Sequence, residues 1–576
     1  MPFLQEGYHL LRINLSPRMA LFASNGVRLN QMKKHMNRNL LIDEIKGLSI
    51  IAVIVFHLGY FKYGYLGVDV FLVVAGYLTA KSAEKAIADN SFSPWQFVWR
   101  RVQRLLPMVL MACGVSLILG FTTMLPDDYE NLAQGVIASS FFGNNILCRI
   151  SAGNYWAPRN DYLPLLHFWY LGVLMQLYVA YAVIAGLCSR LKKRAGTVIL
   201  IVIGILSLAS LVVAVCKVGP QPVRFYYAPW RFYEFGAGVL AYMLGLRIKD
   251  GLSLKVPGLA HIGAASLSIY ASHYIILAFY RYCMSSYVEL WFICVYIVLL
   301  MVLSECTYKF IERSKSWWIT TNRGFFCTVV PMFIIVNVLS LMVYFRAGIV
   351  RDIPELDVSS LKVERGLHNA YNDRIKEFRG AGDNWSKRGG KIKVLIVGNS
   401  FGRDFANVIL ESPVAGKVDL SYCMHWGDDA DNPMEQMAKA DVIFLAGVYE
   451  EKLPSVLRRF YDGDISAGKG KTYYEGTKYF GESNGMIYSR RFTKGYYDQM
   501  IKVPDCIWEG NENDKRKFGK WFVNMMDVVN RGNGYVAAFT DDRKMISQDC
   551  KHLTQGGAKY YARHLDVKAL VDSVEK

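Results

Sequence analysis

The sequence predicts a polytopic α-helical membrane domain of about nine spans, followed by an α/β domain. Apolar stretches of spanning length recur over the first 346 of the 576 residues. Hydrophobic residues make up 53% of the chain and the mean hydropathy is +0.18, values that suit a membrane part joined to a soluble part. After residue 390, β-branched apolar runs alternate with helical segments, which is typical of an α/β domain.

The chain is accordingly expected to divide into five segments. They are a cytoplasmic N-terminal segment (1–40), a membrane domain (41–323), a linking transmembrane helix (324–347), an extracytoplasmic linker (348–390) and the α/β domain (391–576). The nine spans are predicted at about 43–61, 66–86, 105–125, 164–188, 197–216, 230–247, 262–282, 287–307 and 325–346. Residues 1–40 are polar and basic, without the early apolar core of a cleavable signal peptide.

Basic residues in the loops predict the orientation. Residues 1–346 carry 31 Lys and Arg against 15 Asp and Glu, so +16 of the total charge of +18 belongs to the membrane part. Short loops rich in Lys and Arg face the cytoplasm. With the N-terminus inside, the basic clusters all fall on that side: Lys33, Lys34, Arg38; Arg100, Arg101, Arg104; Arg190, Lys192, Lys193, Arg194; Arg247, Lys249, Lys255; Lys309, Arg313, Lys315, Arg323. An odd number of spans then places the chain after about residue 347 outside the cytoplasmic membrane.

Two ionisable residues lie in the first apolar stretch. Lys46 and His57 are separated by ten residues, which places them roughly 16 Å apart along a helix axis. Ionisable groups at membrane depth are costly and indicate a site that a long ligand could span. The alternative is a lysine that extends to the interface and a histidine that bonds to a neighbouring helix.

This basic residue, ten residues and histidine in the first span resemble the acyltransferase-3 family of membrane carbohydrate O-acyltransferases. The second span, Gly67-Val-Asp69-Val-Phe71-Leu-Val-Val-Ala-Gly76-Tyr-Leu, resembles another signature of that family. The resemblance implies a helical bundle, usually of ten or eleven spans, that transfers an acyl group. It also implies that His57 serves as a base and that Lys46 binds the acyl donor.

Arg101 and Arg104, at the start of the third predicted span, extend the resemblance. They share a helix face and suit a phosphate-bearing ligand, whereas the alternative is anchoring at the cytoplasmic face. In the family such a pair is associated with the donor, taken to be acyl-coenzyme A. Three further blocks resemble the family: Arg231–Gly238, Ser266–His273 and Tyr308–Arg313.

Within these blocks, Arg231 and Glu234 are expected to form an ion pair, and His273 is expected to be structural. The sequence also departs from the family pattern. Leu174 and Met175 stand where the family carries two glutamates, and the loop at about 248–261 is short where the family has two more spans. Loss of two spans leaves the number of spans odd or even as before, so the predicted orientation of the C-terminal part is unchanged.

The α/β part begins with an apolar strand that ends at Gly398 in a tight turn before a helix. Ser400 at that junction can be exposed as a nucleophile. Further strands are predicted at 417–422, 441–447, about 476–480 and 534–539. Near the end, Asp549 and His552 are three residues apart and can act as an orienting carboxylate and a base.

A serine after the first strand and Asp-x-x-His before the last helix resemble the SGNH hydrolase/acyltransferase family, a C-terminal partner of acyltransferase-3 domains. The resemblance implies a flavodoxin-like three-layer fold with Ser400, His552 and Asp549 as catalytic residues. The usual Gly-Asp-Ser is Gly398-Asn399-Ser400 here, and the later Gly-x-Asn block is not evident. The candidates for the oxyanion site are therefore Asn399 and Gly447, with main-chain N–H groups.

Together these features predict an enzyme of the bacterial inner membrane. It would move an acyl group, expected to be acetyl, from cytoplasmic acetyl-CoA to an extracytoplasmic polysaccharide such as lipopolysaccharide O-antigen, capsule, exopolysaccharide or peptidoglycan, or to a lipid-linked precursor. The expected partners are acyl-CoA, the glycan and the lipid bilayer. No bound cofactor, metal or nucleic acid is expected, because the cysteines lack metal spacing and the α/β part lacks a basic stripe.

Three alternatives share these features. An extracytoplasmic carbohydrate esterase would use the same serine, histidine and aspartate but would not need Lys46, His57 or the arginine pair. A catalytically weakened scaffold or glycan transporter would account for the missing glutamates and spans. A donor other than acetyl, such as succinyl, leaves the reaction class unchanged.

Overall fold

The computed structural model describes residues 39–151, 158–248, 252–285, 288–313, 321–351, 371–372, 374–382, 385, 391–424, 433–447, 458, 462 and 471–572. The predicted cytoplasmic segment and extracytoplasmic linker, and the cluster Lys33, Lys34 and Arg38, lie almost entirely outside these residues. The N-terminal part is helical: α1 Leu40–His57, α2 Leu66–Ala88, α3 Pro94–Thr123, α4 Pro126–Ser140, α5 Asn144–Ser151, α6 Trp169–Ser189, α7 Ala195–Val215, α8 Gln221–Tyr226, α9 Ala228–Met243, α10 Leu259–Ala264, α11 Ser266–Cys283, α12 Leu290–Thr307 and α13 Asn322–Phe345.

Among the described residues, six helical segments are long and apolar enough to cross a membrane: Leu66–Ala88, Pro94–Thr123, Leu166–Ser189, Lys192–Val215, Leu290–Glu312 and Asn322–Phe345. The other three predicted spans also form helices, which are α1, α9 and α11. They differ in composition and length, since α1 has three charged residues in its first two turns, α9 has 16 residues, and α11 contains serines, a histidine and an arginine. The chain is thus a multi-pass membrane protein.

The third span starts earlier than predicted. Helix α3 begins at Pro94 and not near residue 105, because proline is well accommodated at the first position of a helix. Arg101 and Arg104 therefore lie within the helix, two to three turns from its start. Helices α4 and α5 follow α3 in a region where the sequence predicted no span.

Contacts divide the chain into two compact units. Unit 1 comprises Met1–Arg104, Val173–His273 and Leu300–Ser314, and unit 2 comprises Leu105–Gly172, Tyr274–Leu299 and Lys315–Lys576. In unit 1, α2 and α9 pack with their backbones in contact. A Cβ on Gly76 would collide with the carbonyl oxygen of Phe235, and one on Gly238 with that of Val73. Glycine at both positions is what permits this approach, which is typical of close helix packing in membranes.

The C-terminal part of unit 2 is an α/β domain. Its elements in chain order are β1 Ile392–Gly398, α14 Ser400–Glu411, β2 Val418–Met424, α15 Met434–Met437, β3 Val442–Ala446, β4 Lys471–Glu475, α16 Gly485–Tyr488, β5 Met500–Lys502, α17 Asp505–Phe518, β6 Phe522–Val523, α18 Met525–Val529, β7 Asn530–Gly532, β8 Tyr535–Ala537, α19 Gln555–His564 and α20 Val567–Asp572. Strands β2, β1, β3, β4 and β6 form a parallel sheet in that order. This is the strand order of flavodoxin-like sheets, in which ligands bind where the order reverses beside β1.

Both faces of this sheet are buried. On β1, Val394 and Ile396 belong to one hydrophobic cluster with Phe405 of α14. Leu395 and Val397 belong to another on the opposite face with Phe518 of α17. The continuous apolar run that predicted β1 is the pattern expected of a parallel strand that is covered on both sides.

Two of the predicted strands are placed differently by the structure. The fourth parallel strand is Lys471–Glu475 and not 476–480, and it buries a glutamate that an apolar pattern does not reveal. The run 534–539 contributes β8 to a separate antiparallel sheet with the order β5, β8, β7. The fifth parallel strand is the two-residue β6, which is too short for periodicity to detect.

Candidate active site

Ser400 is the first residue of α14, directly after the strand-to-helix turn that follows β1. Gly398 is required at the end of β1, because a Cβ there would collide with the carbonyl oxygen of Ala446 on β3. Ser400 is half-buried at the carboxyl edge of the sheet. The N-terminal turn of a helix directs its N–H groups outward, so this position can stabilise a developing oxyanion.

Asn399 connects this turn to the end of β3. Its Oδ1 accepts the N–H of Phe401 at 2.9 Å, which caps α14, and its Nδ2 donates to the carbonyl oxygen of Gly447 at 2.8 Å. Gly447 has a positive φ of 55°. The two oxyanion candidates are therefore joined to each other. The bond to Gly447 uses one of the two N–H groups of the Asn399 amide, so the second is a further candidate donor beside the main-chain N–H groups of the α14 turn.

Asp549 holds His552 through two bonds. Its Oδ2 lies 2.6 Å from His552 Nδ1, and its Oδ1 accepts the His552 backbone N–H at 2.8 Å. The Asp549 side chain is 26% exposed and the His552 side chain 19%, so solvent reaches the pair although most of it is buried. A carboxylate on Nδ1 fixes the tautomer that leaves Nε2 able to take a proton, as a base needs.

The loop between these two residues is strained. Cys550 has a φ of +67°, a region that L-residues rarely adopt, and its side chain is buried. Its carbonyl oxygen accepts the N–H of Phe480 at 3.2 Å. Strained residues persist where the surroundings hold them, and they concentrate at functional sites. No sequence motif revealed this feature.

The structure brings the helix of Ser400 and the Asp549–His552 pair together. The backbone N–H of Leu553, next to His552, donates to Oδ2 of Asp404 on α14 at 3.0 Å. The rings of His552 and Phe401 have centroids 6.4 Å apart. A serine, a histidine and a carboxylate thus lie in one region of the domain, which is the set of groups that nucleophilic acyl transfer needs.

Lys46 lies in the second turn of α1 in unit 1 and His57 is the last residue of that helix, so both belong to one helix as their spacing predicts. Lys46 Nζ lies 2.7 Å from Asp43 Oδ1. The His57 ring lies 5.4 Å, between centroids, from that of His273 on α11. His273 is fully buried, and its Nδ1 lies 2.7 Å from the carbonyl oxygen of Tyr270. The histidine that was expected to be structural is therefore a neighbour of the candidate base.

The two arginines of the candidate donor site have different surroundings in unit 1. The Arg101 guanidinium stacks 3.3 Å above the Phe97 ring and donates to Ser82 Oγ at 2.8 Å. Arg104 is 65% exposed, and its Nη2 lies 3.4 Å from Oε1 of Glu312. Oε2 of Glu312 accepts from Ser268 Oγ at 3.1 Å. Glu312 ends a π-helical turn, Tyr308–Glu312, in a block that was noted only for its resemblance.

The predicted ion pair between Arg231 and Glu234 is confirmed, with Nη1 2.8 Å from Oε1. Arg231 Nη2 also lies 2.8 Å from Asp69 Oδ1, so the second span takes part in the pair. Leu174 and Met175, which replace the glutamates of the family, are buried apolar residues. Within the described ranges, no group of three or more His, Cys, Asp or Glu side chains is placed to hold a metal ion.

In unit 2, the end of α11 is joined to the α/β domain. The Tyr282 hydroxyl donates to Asp128 Oδ2 at 2.7 Å and accepts the N–H of Leu125 at 2.9 Å. The carbonyl oxygen of Tyr282 accepts from Ser483 Oγ at 3.4 Å, and its ring occupies the space where Gly485 would carry a Cβ. These contacts hold the segment that leads from β4 to α16.

The family Acyl_transf_3, described as "Acyltransferase domain", matches residues 39–344. A proposed membrane-bound transacylase, BcsY, of Komagataeibacter xylinus is 31% identical over 210 residues, which is 36% of this chain and 52% of the relative. The peptidoglycan O-acetyltransferase OatA of Listeria monocytogenes is 30% identical over 190 residues, 32% of this chain and 30% of the relative. A proposed O-acetyltransferase of Staphylococcus aureus is 30% identical over 159 residues, 27% of this chain and 26% of the relative.

The chain thus spans about half the length of the first of these relatives and less than a third of the other two. No solved structure shows a significant match to the chain.

Proposed function

The chain belongs to the Acyl_transf_3 family of acyltransferases, and from that premise we propose that it is a membrane O-acyltransferase. It moves an acyl group, acetyl in the simplest case, from acyl-coenzyme A at the cytoplasmic face to a hydroxyl of an extracytoplasmic glycan. The names of the relatives support this proposal, since one is a peptidoglycan O-acetyltransferase.

The orientation is part of the proposal. All nine predicted spans cross the inner membrane, the N-terminus is cytoplasmic and the α/β domain, of the SGNH type, is extracytoplasmic. The alternation of basic loops supports this arrangement.

The first stage uses unit 1. Arg101 and Arg104 bind the phosphates of the donor, since guanidinium groups match phosphate oxygens in geometry and charge. Lys46 and His57 engage the acyl end of the donor, and His57 acts as the base for the first transfer. Lys46 and Arg104 each have a carboxylate partner, Asp43 and Glu312 respectively, which an anionic ligand would replace.

The second stage uses the α/β domain. His552 Nε2 takes the proton of Ser400 Oγ, and the oxygen attacks the acyl carbonyl carbon to form an ester, while the group that held the acyl chain after the first stage leaves with that proton. The glycan hydroxyl then gives its proton to His552 and attacks the ester. The acyl group passes to the glycan and Ser400 regains its proton. The observation that carries this stage is the 2.6 Å Asp549–His552 pair, held against the helix of Ser400.

The test is glycan analysis of cells that carry the wild type, Ser400→Ala, His57→Ala or Arg101→Ala. Loss of O-acyl groups in all three variants supports transfer. Their accumulation in Ser400→Ala alone would instead identify an esterase, and no change in any variant would favour a scaffold.

Matched controls separate loss of chemistry from loss of protein. Ser412→Ala changes a buried serine one residue beyond the far end of α14, where Oγ donates to the Ile409 carbonyl oxygen at 2.6 Å. His564→Ala changes a histidine that is 41% exposed. Both controls should keep wild-type O-acylation at equal expression.

A further inference from the structure

Three ionisable side chains are buried in the α/β domain near the candidate catalytic residues. Asp404, Glu475 and Lys478 are each 0% exposed at the side chain. Lys478 Nζ lies 3.2 Å from Asp404 Oδ2 and 3.8 Å from Glu475 Oε1. Buried ion pairs add little to stability, because desolvation offsets their attraction, and apolar residues of similar volume often serve as well. The cluster is therefore better explained by a role in the site than by stability.

The three residues come from separate elements that meet at this point. Asp404 lies on α14, four residues after Ser400, and Glu475 is the last residue of β4. Lys478 lies in the segment after β4. One oxygen, Oδ2 of Asp404, is shared between the lysine and the loop that carries His552, because it also accepts the Leu553 N–H at 3.0 Å.

Lys478 makes a second contact with the helix of the nucleophile. Its Nζ lies 3.9 Å from the centroid of the Phe401 ring, on the residue that follows Ser400. A cation over an aromatic face is attracted by the ring, and more strongly when both are desolvated. The same ring faces His552. One ammonium group therefore contacts the first and second turns of α14 and, through Asp404, the loop of the base.

We infer that Lys478 is a positioning residue, which fixes the helix of Ser400 and the loop of His552 relative to each other. The inference rests on the proposed function, because Lys478 acts only through those two residues. Without the ammonium, Asp404 is a buried carboxylate without its cation and is drawn towards water. The Leu553 N–H then loses its acceptor, and the distance between His552 and Ser400 increases.

The experiment uses the full chain in detergent or nanodiscs with 4-nitrophenyl acetate, an acyl ester that acylates an activated serine and releases nitrophenolate. Four variants are compared with the wild type: Ser400→Ala, Lys478→Met, Lys478→Arg and the double variant Lys478→Met with Asp404→Asn. An asparagine at 404 can still accept from Leu553 N–H but has no charge to be compensated. Lys439→Met, which removes a lysine from an ion pair with the exposed Glu435, is the matched control.

We expect Lys478→Met to lower kcat about 10- to 100-fold with KM within twofold, since small misplacements of catalytic groups cost rates of this order. The double variant should recover the thermal stability of the wild type and only part of its kcat, because the asparagine introduced at position 404 can hold the Leu553 N–H but nothing replaces the contact of Lys478 with the Phe401 ring. Lys478→Arg should keep more of the kcat than Lys478→Met, and Lys439→Met should match the wild type.

Full recovery of the wild-type kcat in the double variant would overturn the inference, because Lys478 would then only neutralise Asp404. Wild-type kcat in Lys478→Met, together with loss of activity in Ser400→Ala, would overturn it while leaving the proposed function intact. Wild-type kcat in Ser400→Ala would overturn the proposed nucleophile, and the role of Lys478 with it.

Discussion

Asp549 and His552 are joined by two hydrogen bonds that use both oxygens of one carboxylate, one to the ring nitrogen Nδ1 at 2.6 Å and one to the backbone N–H at 2.8 Å. The aspartate therefore sets the fold of the loop and the tautomer of the imidazole together. A substitution that keeps the size of the Asp549 side chain but removes its charge should therefore still impair the pair.

Asp549→Asn keeps the shape of the side chain and an acceptor for the backbone N–H. An amide nitrogen facing Nδ1 would favour the tautomer with its proton on Nε2, so His552 could no longer act as a base. We expect kcat for 4-nitrophenyl acetate to fall by about 100-fold or more while the melting temperature changes little. Asp541→Asn, at a carboxylate that is 62% exposed, is the control and should keep wild-type kcat. A wild-type rate in Asp549→Asn would exclude His552 as the base.

Glu475 predicts a pH dependence of stability. Burial raises the pKa of this carboxyl from 4.5 to about 8, with Asp404 adding to the rise and Lys478 opposing it, and the buried Tyr561 phenol also faces it. The folded protein thus retains a proton that the unfolded chain has lost. The stability gained in this way is complete below pH 4.5 and is lost as the pH rises through about 8.

Glu475→Gln imitates the protonated acid and should remove this dependence. Melting temperatures measured between pH 6 and pH 9 should fall more steeply in the wild type than in the variant. Parallel curves would show that Glu475 does not titrate in this range.

The close contacts at Gly76 and Gly238 predict that substitution of either glycine by alanine destabilises unit 1. An alanine at either position would meet backbone oxygen of the facing helix, which cannot move aside as a side chain can. We expect each substitution to destabilise the purified protein by about 1–3 kcal/mol or more. Gly204→Ala, at a helical position where an added Cβ would meet no other described part of the protein within 4 Å, should leave stability unchanged or slightly higher. Thermal unfolding in detergent measures all three, and equal melting temperatures would contradict the close approach.

Substitutions of Arg104 and Glu312 are expected to differ in their effect on donor binding. Arg104→Ala removes a charge proposed to contact phosphate and should weaken coenzyme A binding about tenfold, as expected for a charge-assisted hydrogen bond. Glu312→Gln releases Arg104 from its carboxylate and should not weaken binding. Isothermal titration of the purified protein with coenzyme A tests both, with Arg100→Ala as a control at an exposed arginine. Weaker binding in Glu312→Gln would show that the carboxylate itself supports the site.

The proposed orientation can be tested independently of catalysis. Alkaline phosphatase fused after Lys576 should be active in cells, because it folds outside the cytoplasmic membrane, whereas β-galactosidase at the same point should be inactive. The reverse pattern would place the α/β domain in the cytosol and exclude delivery to an outer glycan by Ser400.

Much of the fold was predictable because it depends on local patterns. Continuous apolar runs predicted β1 and β3 to within a residue or two, and helical apolar stretches located the helices that cross the membrane. The position predicted for strand β4 was wrong because the strand includes Glu475, whose burial depends on Lys478 and Asp404. Strand β6 was missed because only two residues pair with β4.

The residues of the candidate site also divide into those that a local pattern predicts and those that depend on distant partners. Ser400, Asp549 and His552 belong to short motifs with fixed spacing, which a single sequence displays. Lys478, Asp404 and Glu312 act through partners that are distant in the chain, and no local pattern marks them. The strained Cys550 was equally hidden, because cysteine is not a residue that predicts a left-handed backbone.

The π-helical turn Tyr308–Glu312 has a consequence for chain length. Such a turn holds one residue more than a regular helical turn, so deleting one residue within it would restore the normal helix. Because the π turn spreads one extra residue over the same turn, Glu312 would keep nearly the same direction towards Arg104 and Ser268. A single-codon deletion within this turn should therefore be tolerated better than loss of Glu312 itself, whereas a deletion in the regular helix α12 would turn Glu312 by about 100° around the axis.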